Sequence, residues 1–130
     1  MNLEKLTRAT LLLSAPFNLV AACGLLFPAS SLGQLIGLPS PVPVVYSAIL
    51  AYMVLIFGGV YAWLALQDSI NRPLLAVGVI GKLGVFAICL GLWLMSQADV
   101  ATVLVSSVDL ALGLLWLSYL LETPPSAAQG

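Results

Sequence analysis

Four apolar runs, at about 8–27, 43–66, 73–96 and 100–121, take up most of this 130-residue chain. Each is long enough to cross a hydrocarbon core of about 30 Å, which takes about 20 helical residues. Backbone amides in lipid have no water to bond, so each run must satisfy its own, and a helix does that locally. The runs show none of the alternation that a barrel strand requires. The sequence therefore predicts an all-α fold: a polytopic membrane protein, with a bundle of four transmembrane helices spanning residues 1–122. Residues 123–130 read as a short, disordered cytoplasmic tail.

Composition narrows the function classes. The chain is 62% hydrophobic and 7% charged, with no histidine, whereas soluble domains carry about 25% charged residues. A net charge of −1 and the lack of a basic tract argue against nucleic acid as a partner. The lipid bilayer is the expected surrounding. Both cysteines, Cys23 and Cys89, fall inside apolar runs. Without histidine, a CxxC pair or a carboxylate cluster, the sequence predicts neither a metal nor a haem site. It also lacks the GxSxG, Ser-His and Cys-His sets of hydrolases.

The breaks between runs carry helix-start signals. Ser40 with Pro43 suits the second helix, Asn71 with Pro73 the third, and Asp99 the fourth. Lys5, Arg8 and Arg72 mark one side of the membrane, and the other loops hold no basic residue. The positive-inside rule then places both termini in the cytoplasm. Phe27, Tyr46 and Trp93 would lie near the outer interface, and Tyr61, Trp63, Trp116 and Tyr119 near the inner one. Lys5 and Arg8 also resemble the basic start of a signal peptide. The apolar run after them is longer than such peptides use and contains Pro16 and Asn18, so it is expected to be retained. The first loop, 28–42, is long and uncharged. It reads either as a connector over the outer end or as a lid over a cavity mouth.

Two charges interrupt the apolar runs: Lys82 in the third and Asp109 in the fourth. A charge at bilayer depth costs about 2.5–3.5 kcal/mol on insertion scales, so it faces the protein interior and finds a partner. Only residues 96–99 separate the two runs, which makes them antiparallel neighbours. At 1.5 Å per residue, Asp109 lies about 14 Å and Lys82 about 21 Å from the outer end, a mismatch a lysine side chain can span. Asn18 and Tyr52 fall at about 14 Å in the first and second helices. Ser106 shares a face with Asp109, along with Thr102, Gly113 and Trp116. The expected cluster is thus Lys82, Asp109, Asn18, Tyr52 and Ser106. It can serve to fix helix register, or it can line a site.

The four spans, the Asn71-Arg72-Pro73 start of the third helix and the Gly81-Lys82 that follows resemble small bacterial four-helix membrane proteins of the broadly DoxX-like kind. That resemblance covers residues 8–121 and implies a bacterial inner-membrane protein associated with membrane oxidoreductase systems and quinone chemistry; the residues themselves predict no cofactor, and quinone is the one the resemblance leaves open. It assigns no catalytic residue. Three functions remain open from sequence. The first is an accessory or interaction subunit without chemistry of its own, working in a larger membrane complex or a homo-oligomer. The second is a carrier for a small lipophilic or zwitterionic ligand, and the third a quinone-linked oxidoreductase component.

Overall fold

The computed structural model describes residues 2–124, and the only regular structure among them is helical. Four long helices, α1 (Leu3–Leu26), α3 (Val44–Leu66), α4 (Arg72–Leu94) and α5 (Val100–Glu122), are joined by loops, the first of which holds the short α2 (Ser31–Leu35). All four long helices are long and apolar enough to cross a membrane. The protein is an all-α, four-helix transmembrane bundle. Of the expected tail, residues 125–130 lie outside the described residues.

Three of the four long helices begin at a side-chain cap. Asn2, Asn71 and Asp99 accept from Lys5 N, Leu74 N and Ala101 N at 2.8, 3.0 and 2.8 Å. Each satisfies one of the amides that a helix start leaves free. Two boundaries differ from expectation. Helix α1 begins at Leu3 rather than near residue 8, because Asn2 caps a polar first turn that the apolar pattern does not register. Helix α3 starts after Pro43 with no side-chain cap, so Ser40 does not serve as one.

α1 packs most closely on α3 and α4 on α5, with sparser contacts from α1 to α5 and from α3 to α4. The molecule is therefore two tight antiparallel pairs laid side by side. Gly58 of α3 meets α1 where an added Cβ would stand 3.0 Å from Asn18 Cβ, and Gly113 of α5 meets α4 at 2.7 Å from Leu83. Small residues let helices approach in lipid, where burial of apolar groups gives no drive. Gly59, Gly81, Gly84 and Gly91 have open space there instead and take no part in this packing.

The core is narrow. Leu11, Leu64, Leu75 and Trp116 are wholly buried, with Tyr61, Val79 and Tyr119 beside them. Leu13, Ile80, Ile88 and Leu104 are among many large apolar side chains left exposed, an apolar exterior that water would not tolerate but lipid requires. Tyr61, Trp116 and Tyr119 are buried in the core, while Trp63, Phe27, Tyr46 and Trp93 are exposed.

The first loop is held against the helix ends by close packing and hydrogen bonds. Gly33 approaches the Pro28 backbone so closely that a Cβ would stand 2.3 Å from its carbonyl oxygen, and Gly37 turns the chain at a φ of 73°. Thr102 Oγ1 of α5 donates to the Ile36 and Gly37 carbonyls at 3.3 and 3.0 Å. Ile36 also packs on Gly24 of α1. The loop is thereby tied across the end of α1 and the start of α5.

Candidate functional site: a buried lysine on the bundle axis

Lys82 projects from α4 into the centre and is 4% exposed. Its Nζ donates to Asp109 Oδ1 of α5 at 2.6 Å and to Asn18 Oδ1 of α1 at 3.1 Å. The rings of Phe17 and Tyr61 each lie with their centroids 5.2 Å from the same nitrogen. An ammonium group offers three protons and no acceptor. Here two protons meet oxygens, and the remaining charge faces π-systems, a contact worth about 2 kcal/mol or more once water is excluded. All four long helices contribute: Asn18 and Phe17 from α1, Tyr61 from α3, Lys82 from α4, Asp109 from α5.

Asn18 is held in turn. Its Nδ2 donates to the Val54 carbonyl of α3 at 3.0 Å, so one amide ties α1 both to its partner helix and to Lys82. Ser106 is buried on the face of Asp109, as expected, but its hydroxyl donates back to the Val103 carbonyl at 3.0 Å. It lines the neighbourhood without bonding to the charges. Tyr52 does not join the cluster: it is 59% exposed on the outside of α3. Depth gave it the right height and no information about its face. Tyr61, about two and a half turns further along α3, supplies the aromatic wall instead.

Tyr61 and Phe17 are the members that the sequence reading missed. Tyr61 follows Gly58 by three residues and so shares its packed face, a spacing that could have pointed inward. Phe17 carried no signal apart from its place beside Asn18. A further bond was also hidden: Trp116 Nε1 donates to the half-buried Thr10 Oγ1 at 3.0 Å, which allows a whole indole to sit in the core.

The site is closed. Lys82, Asn18 and Ser106 are each under 7% exposed, and Asp109 is at 9%. Two surface hollows lie at the ends of the bundle instead. One of about 500 Å³ is bordered by Phe27, Pro28, Pro41 and Ser47, and one of about 1090 Å³ by Asp68, Asn71, Arg72 and Leu120. Neither is lined by a member of the cluster. Cys23 and Cys89 are free thiols, and no group of three metal-ligating side chains occurs among the described residues. No family model, curated protein or solved structure matches this chain.

Proposed function

We propose that this is a small multi-pass protein of the bacterial inner membrane that works as an accessory or interaction subunit, its buried charge pair acting as an internal lock rather than as a reactive site. The observation that carries this reading is the enclosure of Lys82. Its ammonium is matched by Asp109, Asn18 and two rings, with 4% of the residue exposed. A lysine so matched offers nothing to a ligand unless the helices part. A pair held in lipid also penalises every packing that separates its charges, so it selects one arrangement of the four helices.

The basic residues Lys5, Arg8 and Arg72 favour cytoplasmic termini. The resemblance to DoxX-like proteins favours an oxidoreductase character for the larger assembly. With short loops and no soluble domain in the described residues, a partner is met along the lipid-facing sides or at the loop ends.

Extraction in a mild detergent followed by size analysis tests the reading. The expected result is a defined complex larger than the single chain, retained when Lys82→Met and Asp109→Leu are combined. A lone chain that binds a small zwitterion saturably, and loses that binding in Asp109→Asn, would overturn it in favour of a carrier.

A further inference from the structure

We infer that the bundle is two copies of one helical hairpin, related by a two-fold axis that runs between the helices, and that the charge pair belongs to one copy at positions whose counterparts in the other are Asn18 and Val54. The evidence is a set of matching contacts at fixed spacing. Arg8 of α1 donates to the carbonyls of Ala65 and Asp68 at the end of α3, each at 3.0 Å. Arg72 of α4 does the same at the end of α5, to Leu120 at 2.6 Å and to Thr123. Asn18 follows Arg8 by the same number of residues as Lys82 follows Arg72. Each then reaches across its own hairpin to matched positions: Asn18 to the Val54 carbonyl at 3.0 Å, Lys82 to Asp109 at 2.6 Å.

The packing repeats in the same register. Gly58 seats Asn18 and Gly113 seats Lys82, where an added Cβ would stand 3.0 and 3.3 Å from the respective Cβ atoms. One turn on, Tyr61 and Trp116 are both buried, and then Leu64 and Tyr119. On the first helices, Leu11 and Leu75 are both at 0% exposure. One offset of 64 positions relates α1 to α4. A single shorter offset relates α3 to α5, because the first hairpin's connector, 27–43, is longer than the second's, 95–99.

The axis is visible in which residues touch. In a two-fold assembly, only residues beside the axis contact their own counterparts. Two such pairs do: Asn18 with Lys82 at 3.1 Å, and Tyr61 with Trp116 at 5.0 Å between ring centroids. The helix neighbours agree, since α1 meets α5 and α3 meets α4, an exchange that the axis requires. Both hairpins start at the same end, so the copies are parallel, with the axis along the bundle. The site therefore sits where two copies meet and is one-sided: lysine and aspartate from the second, an amide from the first.

The test is exchange between counterparts in the full-length chain. In the variant Asn18→Lys, Val54→Asp, Lys82→Asn, Asp109→Val, the new lysine should reach the new aspartate in its own hairpin and the new amide across the axis. Exchange of Tyr61→Trp with Trp116→Tyr tests the same axis without moving a charge. Thermal unfolding in detergent is expected to show at least one exchange melting above every one of its constituent single replacements. Both exchanges melting at or below their constituent singles would overturn the inference.

Discussion

At the scale of single residues, the cluster behaves as a satisfaction problem. Lys82 needs acceptors that water cannot supply at this depth, and it has Asp109, Asn18 and two ring faces. Asn18 is the member used twice, since its oxygen accepts from Lys82 and its nitrogen donates to the Val54 carbonyl. Asn18→Leu should therefore destabilise the protein by about 1–3 kcal/mol, the cost of leaving a buried polar partner unmatched. Tyr52→Leu should change stability by no more than about 0.5 kcal/mol, because Tyr52 faces outward. Unfolding of the two purified variants side by side checks both values, and equal losses would mean that Tyr52 belongs to the cluster after all. Lys82, Asp109 and Asn18 were legible in the sequence because a polar group midway along an apolar run has to point inward. Tyr52 and Tyr61 were not separable in this way. In lipid both faces of a helix are apolar, so the periodicity that would fix rotation in a soluble helix is missing.

At the scale of elements, the ends carry the information that the spans lack. Asn71 and Asp99 announced the starts of α4 and α5, and the structure uses both as caps. The arginines said less than they do. Arg8 and Arg72 read in sequence as markers of one membrane side, yet each also bonds carbonyls left free at the end of its partner helix. Such carbonyls carry the negative end of the helix dipole, so a guanidinium there is doubly favoured. The other end of α4 is less comfortable. Ser96 holds a φ of 59° while its amide donates to the Trp93 carbonyl and Gln97 N to Leu92. That left-handed position costs a side chain about 1–2 kcal/mol and usually belongs to glycine. Ser96→Gly is expected to stabilise the protein by about 1 kcal/mol, read as a higher unfolding midpoint. A lower midpoint would show that the serine is held there by something other than this turn.

At the scale of the whole molecule, fold class followed from run length and composition, while the arrangement of the helices did not. The short link at 96–99 made α4 and α5 neighbours. Nothing in the longer first loop said that α1 pairs with α3 more tightly than with α5, because that choice rests on Gly58 fitting Asn18 and Gly113 fitting Lys82. Orientation is open to a direct check. Reporters fused at the C-terminus should be active only as cytoplasmic fusions, since Lys5, Arg8 and Arg72 share one end; activity confined to the periplasm would reverse the topology. The central claim is that the charges lock the bundle, and a double-mutant cycle at Lys82 and Asp109 tests it most directly. Lys82→Met and Asp109→Leu should each cost about 3–5 kcal/mol by stranding the other charge, and the double replacement should cost less than either alone. Losses that simply add would contradict the account.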